Sequence, residues 1–258
     1  MRVVGLIGLG EAGSLYAAGA VAAGYEVRGF DPAPTPTPDG VVRDASLDDL
    51  VAASDLVIVL TGAVLSLRIA QQAAAHIRRD AIYADFTTAS PEVMVEVANL
   101  IESAGARFAD VAILGPVPTK GAATETIVSG SAATEVAEVL ERFGADVERI
   151  DGGAGEATSR KLLRSVLMKS LAAIVMEALA AGRAAGCEPW VRAQIAAQLS
   201  GDAEAKMDRY ESGSRKHAVR RAHEMESVVD YLGTLGVESE MSEAAAAVLT
   251  RLGRAQQA

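Results

Sequence analysis

The chain is poor in aromatic residues, in cysteine and in positive charge. Phe, Trp and Tyr make up 4% of the 258 residues, against 50% for apolar residues as a whole. The core must therefore be built from alanine and branched aliphatics, with helices packed closely through small side chains. The single cysteine, Cys187, excludes a disulfide framework within one chain and reads as a small core residue. With 24 basic against 34 acidic residues the net charge is −10. No broad basic face is available, so neither nucleic acid nor an anionic membrane surface is an expected partner. No uninterrupted apolar run reaches the roughly 20 residues that a bilayer span needs, and no membrane span is expected. Met1-Arg2-Val3 leads into a strand pattern rather than a leader peptide, so a cytoplasmic, reducing compartment is the expectation. His76, His217 and His223 lack the spacing to acidic or Cys partners that a metal site needs, so no metal is expected.

The first part of the chain alternates strand and helix patterns. Residues 2–8 read as a buried parallel strand, 11–23 as an alanine-rich helix and 25–31 as a second strand, a βαβ unit of the usual length. A Pro/Thr loop covers residues 32–38. Helical patterns follow at 47–53, 65–79, from Ser90-Pro91 onward, and at 135–143. Strand patterns lie at 55–60, 81–86, 107–111, 125–129 and 147–150. This alternation predicts an α/β Rossmann domain, a doubly wound parallel sheet, over residues 1–153. Beyond Asp151-Gly152-Gly153 the pattern is all-α, giving a helical domain over 154–258 for substrate binding and dimerisation. Its first helix, from 157 to about 186, is apolar nearly all round, with Leu162, Leu163, Val166, Leu167, Leu171, Ile174, Val175, Ala178 and Leu179. Such a helix is expected to be buried on several sides and to form the core of a homodimer.

Gly8-Leu9-Gly10-Glu11-Ala12-Gly13 is a G-x-G-x-x-G between the first strand and the first helix. The first glycine permits the tight turn, the second lets backbone approach a pyrophosphate, and the third lets helix and strand pack closely. The helix N-terminus adds free N–H donors and a positive dipole for the phosphates. Asp31 ends the second strand eighteen residues beyond Gly13, where a carboxylate accepts hydrogen bonds from the adenosine ribose and repels a 2′-phosphate. NAD is the expected cofactor. NADP stays possible, with Arg28 and Arg43 as the cations for a 2′-phosphate. Asp31 as a mere cap of the turn into Pro32 is the plainer alternative. Thr61-Gly62 ends another strand at the same sheet edge and is expected to line the ribose.

These residues resemble the β-hydroxyacid dehydrogenase superfamily, which includes 6-phosphogluconate and 3-hydroxyisobutyrate dehydrogenases. Asp85-Phe86-Thr87-Thr88-Ala89-Ser90-Pro91 is similar to the family's D-x-S/T-x-x-x-P segment beside the nicotinamide. Asp110 through Gly115-Pro116, with Gly121-Ala122, resembles its substrate-binding stretch. Gly155 through Lys161 to Ser165 resembles its catalytic segment, and His217 through Glu224 its downstream cofactor segment. The resemblance implies an oxidoreductase acting on CH–OH in which Lys161 is the general acid/base and Ser165, one turn on, orients substrate or lysine. It implies Thr87, Thr88 and His217 as cofactor contacts, and Gly115, Lys120 and Arg164 as substrate contacts. Leu114 stands where the family has a carboxylate-binding serine, Arg164 and Ser165 where it has paired asparagines, and His217 where it has a lysine. The chain is similar to a branch with a compact C-terminal helical domain of unknown function.

Each residue also has a plainer reading: Lys161 as a solvated helix cation, Ser165 as a packing residue, Arg164 as half of a surface ion pair, Thr87 and Thr88 as helix caps. The basic cluster Arg215-Lys216-His217 with Arg220-Arg221 reads either as a solvated face or as an anion clamp. The favoured reading is hydride transfer between nicotinamide and a small, acidic hydroxy or oxo compound, made possible by a lysine that gives and takes the hydroxyl proton. An imine reductase is the alternative enzyme. Relatives with that activity usually lack a lysine at the catalytic position, so Lys161 argues against it. A non-catalytic dinucleotide-binding sensor or assembly protein is the alternative from another class. Turnover lost in a Lys161→Ala variant that still binds cofactor separates it from the enzymes.

Overall fold

The structure is a computed structural model and describes residues 1–255. Apolar runs punctuated by glycine turns form eight strands: β1 (Val3–Ile7), β2 (Glu26–Phe30), β3 (Val41–Arg43), β4 (Leu56–Val59), β5 (Ile82–Asp85), β6 (Arg107–Ile113), β7 (Thr126–Ser129) and β8 (Val147–Arg149). They lie in the order β3-β2-β1-β4-β5-β6-β7-β8. Neighbours are parallel except β6 and β7, which are antiparallel. The first six strands have the order of dinucleotide-binding sheets. That order reverses between β1 and β4, where a ligand crevice opens at the carboxyl ends.

Both faces of this sheet are covered, so β4 (Leu-Val-Ile-Val) is buried throughout and reads as a continuous apolar run. On one face α1 (Glu11–Ala22), α5 (Val117–Lys120) and α6 (Ala133–Arg142) bring Tyr16, Ala20, Val117, Val136 and Leu140 onto Leu6, Ile58 and Val111. On the other, α2 (Leu47–Ala53), α3 (Ser66–Ala74) and α4 (Pro91–Ser103) bring Leu50, Ile69, Met94, Val97 and Ile101 onto Val57, Val59 and Tyr83. The helix starts follow their caps. Ser46 Oγ accepts from Asp49 N at 3.1 Å, and Ser90 Oγ from Val93 N at 3.4 Å with Pro91 at the first helical position. Strand β3 is absent from the sequence reading because three edge residues after a Pro/Thr loop carry no alternation. The helix expected to reach residue 79 stops at Ala74, since the chain turns there toward β5 with Asp80 left-handed at φ 64°.

The compact units are Met1–Arg164 and Ser165–Ala258, dividing inside α7 (Glu156–Ala184). The second continues through α8 (Glu188–Leu199), α9 (Ala203–Lys216), α10 (Ala218–Thr234) and α11 (Glu240–Ala255). Gly182 lets α8 approach α7, because a Cβ there would meet Val191 Cγ2 at 2.9 Å. Glu177 on α7 caps α11, accepting from Met241 N at 2.8 Å, Ser242 N at 3.0 Å and Ser242 Oγ at 2.6 Å.

Two expectations for α7 are corrected. Its apolar residues are not enclosed by this chain: Leu163 is 71% exposed, Val166 68% and Leu167 63%. Helical hydrophobicity reports a demand for burial, and among the described residues that demand is not met. The helix is also long and apolar enough to cross a membrane by length and composition, with a window of mean hydropathy 1.5, although charged residues interrupt its apolar run. Met94, fully buried between α4 and the sheet, tests the first core: Met94→Ala is expected to cost about 2–5 kcal/mol in urea unfolding.

Candidate active site

The phosphate loop is built by crowding. Gly8 turns at φ 95°, and a Cβ on Gly13 would lie 1.9 Å from Gly8 O, so helix and strand touch only because both are glycine. A Cβ on Gly10 would meet nothing within 4 Å, which leaves open approach to the loop backbone. Gly10 caps α1 without a side-chain hydrogen bond, so the helix N-terminus keeps its donors for a ligand. Glu11 and Gly10 are exposed, Ala12 is half-buried, and Leu9 is buried.

Asp31 closes this loop. Its Oδ2 accepts from Leu9 N at 2.8 Å and its Oδ1 from Ala33 N at 2.9 Å, so it pins the loop and caps its own turn together. A carboxylate has lone pairs left after two such bonds. Asp31 lines a cavity of about 430 Å³ with Gly8, Gly10, Leu60, Thr61 and Arg68. Thr61 Oγ1 and, after β5, Thr87 Oγ1 are among the hydroxyls buried without a partner among the described residues. Gly62 next to Thr61 is exposed. Open backbone, free helix donors, an acceptor at the end of β2 and an orphaned hydroxyl together fit a dinucleotide. Arg28 pairs with Asp44, and Arg43 donates to the carbonyls of Asp31 (2.7 Å), Ala33 (2.7 Å) and Thr35 (2.6 Å), gathering the loop after β2.

Past β5 the chain enters a strained turn. Thr88 has φ 56°, left-handed, costing about 1–3 kcal/mol for a non-glycine residue. Lys161, half-buried near the start of α7, donates from Nζ to Thr88 Oγ1 at 2.7 Å. Arg164, one turn further, donates from its guanidinium to Leu114 O at 3.0 Å, at the head of the segment containing Gly115. The structure thus brings Thr87, Thr88, Lys161, Arg164 and Gly115 into the first unit with the phosphate loop. Lys120 is exposed at the end of α5. Ser165 is half-buried, with no hydroxyl hydrogen bond among the described residues. His217 is exposed between α9 and α10 in the second unit. Its basic neighbours are committed nearby: Arg215 to Glu211, Arg220 to Glu224, Arg221 to Ser214.

Beneath the site lie two buried carboxylates, paired across β5 and β6 as Asp85↔Asp110. Asp85 accepts from Ser66 Oγ at 2.6 Å and Thr87 N at 2.7 Å. Asp110 accepts from Gly155 N at 3.1 Å, Thr158 N at 2.9 Å and Thr158 Oγ1 at 2.7 Å. Burial pushes both carboxyls above the ordinary aspartate value, while these hydrogen bonds pull the other way. Sequence reasoning missed Arg68 and Gln72 in the cavity wall and Asp110 as an anchor. Arg68 and Gln72 read as an ordinary polar helix face, and no local signal distinguishes them.

The raised value of Asp85 has a consequence for stability. Its contribution is fully present below the ordinary aspartate value and is lost as pH rises through the folded-state value. Asp85→Asn removes that titration and keeps one acceptor oxygen for the two donors, Ser66 Oγ and Thr87 N, a loss that does not vary with pH. The variant is expected to gain stability relative to the parent as pH rises, read by urea unfolding at mildly acidic and mildly alkaline pH. An unchanging difference between the two proteins would refute the assignment.

Comparison with known proteins agrees with this geometry. Residues 3–152 match the NAD binding domain of 6-phosphogluconate dehydrogenase, and residues 183–252 match a domain of unknown function, DUF1932. The mitochondrial 3-hydroxyisobutyrate dehydrogenase of Drosophila melanogaster is 28% identical over 202 residues, 74% of this chain and 62% of that enzyme. The chain spans about half to three fifths of the length of the first curated relatives it matches. A conserved protein of unknown function, solved and described as structurally similar to 3-hydroxyacid dehydrogenases, is 30% identical over 99% of this chain and 98% of that one, with a TM-score of 0.65. The imine reductase of Streptomyces aurantiacus shares the fold over 97% of this chain and 94% of that one, with a TM-score of 0.81 at 21% identity. With its phosphate loop, its strand order and 3–152 matched end to end, the chain belongs to the family built on the NAD-binding domain of 6-phosphogluconate dehydrogenase.

Proposed function

We propose that the protein is an NAD-dependent oxidoreductase that moves hydride between nicotinamide and a small, acidic hydroxy or oxo compound. The observation that carries this reading is Lys161 Nζ, held 2.7 Å from Thr88 Oγ1 in the turn after β5 of an NAD-binding domain. NAD supplies the hydride acceptor or donor when bound. Lys161 takes the hydroxyl proton as the substrate's C–H bond breaks, and returns it in the reverse direction. Arg164 spends one N–H on Leu114 O and keeps others for an anionic substrate group, which supports an acidic substrate where the family's serine is replaced by Leu114. Gly115 and Lys120 flank the same segment. Ser165 is assigned to orient substrate or lysine, and His217 is kept as a candidate cofactor contact. Asp31, with Arg28 and Arg43 engaged elsewhere, supports NAD over NADP.

Titration with NADH and NADPH, followed by nucleotide fluorescence, tests the cofactor. Tight NADPH binding with weak NADH binding would reverse the preference. Turnover of a hydroxy-acid panel beginning with 3-hydroxyisobutyrate tests the chemistry. Lys161→Ala is expected to lower turnover by about 10²–10⁴ while keeping NADH affinity. Unchanged turnover would remove Lys161 from its role.

The exposed stripe of α7 supports a homodimer through the helical unit, and the net charge of −10 speaks against a nucleic-acid or anionic-membrane partner. A second copy covers the stripe better than lipid does, because Lys169 and Glu177 interrupt it and Glu177 is committed to the start of α11. Light scattering should report a dimer for the parent and a monomer for Leu163→Glu/Leu167→Glu. A monomeric parent would overturn the dimer.

A further inference from the structure

Thr88 does more than end a strand. It and Asp80 are the non-glycine residues with positive φ among the described residues, and Thr88 is β-branched, the type that resists this conformation most. A residue kept in such a backbone is one that its surroundings over-determine. Here the surroundings are two buried carboxylates side by side in the sheet. Asp85 holds Thr87 N, immediately before Thr88, at 2.7 Å. Asp110 holds Gly155 N and both donors of Thr158, one turn before Lys161. One anchor fixes the hydroxyl and the other fixes the helix carrying the amine. Because the anchors are register partners, the turn carrying Thr88 and the helix start carrying Lys161 are both referenced to one pair of neighbouring strands, and Thr88 Oγ1 and Lys161 Nζ lie 2.7 Å apart.

We infer that Thr88 is a positioning residue for Lys161: its strained backbone aims its hydroxyl at Nζ and fixes the amine before any ligand arrives. The functional weight of this rests on the reading of Lys161 as the proton-transfer group. The positioning itself does not, and it is testable in cofactor-free protein.

The test uses the full chain and three substitutions: Thr88→Ser keeps the hydroxyl, Thr88→Val keeps the shape without it, and Thr88→Gly removes hydroxyl and strain together. Each protein is treated with trinitrobenzenesulfonate. Modification of Lys161 is followed by peptide mass spectrometry relative to Lys169, an exposed lysine on the same helix. The Val and Gly variants are expected to label Lys161 about three- to tenfold faster than the parent, the release that one net hydrogen bond supports, with Ser near the parent. Thr88→Gly should melt no lower than Thr88→Val, since glycine adopts this backbone freely. If Val does not fold, Gly carries the labelling measurement. Parent-like labelling in a folded Val or Gly variant overturns the proposal, as does Ser labelling as fast as Val. Failure of the parent to bind NADH and NADPH would instead overturn the oxidoreductase reading, and the labelling result would stand apart from it.

Discussion

Asp110 grips the first turn of α7 through three hydrogen bonds, two to backbone N–H groups that a helix start leaves unpaired and one to the hydroxyl of Thr158. Those bonds offset part of the cost of burying its charge, with burial still the larger effect. They also fix where a long helix leaves the sheet, and so where Lys161 and Arg164 stand. Gly155 lets this happen: at φ 90°, with a would-be Cβ 2.8 Å from Pro91 O, no larger residue fits between α7 and the start of α4. Ser129 Oγ adds a further acceptor for Ala157 N at 3.0 Å. The start of α7 is thus tied to β6, β7 and α4 together, which is firmer support than a loop-borne lysine would have.

The cofactor side follows a different principle. There the backbone is the recognition element, and side chains matter by being absent or by being turned onto the backbone. Gly8, Gly10 and Gly13 make room, while Asp31 reaches across to Leu9 N and ties the loop after β1 to the end of β2. One sheet thus carries both parts: the phosphate turn after β1 with its brace at the end of β2, and the Thr88–Lys161 pair beside β5 and β6.

Legibility in the sequence tracked distance along the chain. The phosphate loop is six consecutive residues, and its physics is local, so glycine spacing between an apolar strand and a helix identified it. The doubly wound sheet was legible because buried parallel strands are continuous apolar runs. The Lys161–Thr88 hydrogen bond joins residues 73 apart. It depends on which strands become neighbours, and nothing near either residue encodes it. Asp110 stood inside a quoted motif, yet its task as anchor of α7 appears only once β6 and the helix start are side by side. For α7, the apolar pattern identified a helix of the right length but not that its outer face lies exposed, because a hydropathy pattern does not say whether the same chain supplies the covering surface.

The guanidinium of Arg43 gathers the carbonyls of Asp31, Ala33 and Thr35 at a single point. The loop after β2 is therefore organised from below by one side chain on the edge strand, and its outward residues bear little of the fold's weight. A change at its tip leaves the Arg43 brace, the sheet and the phosphate turn as they are, so this rim of the cavity and the Thr88–Lys161 pair can vary on separate parts of one domain.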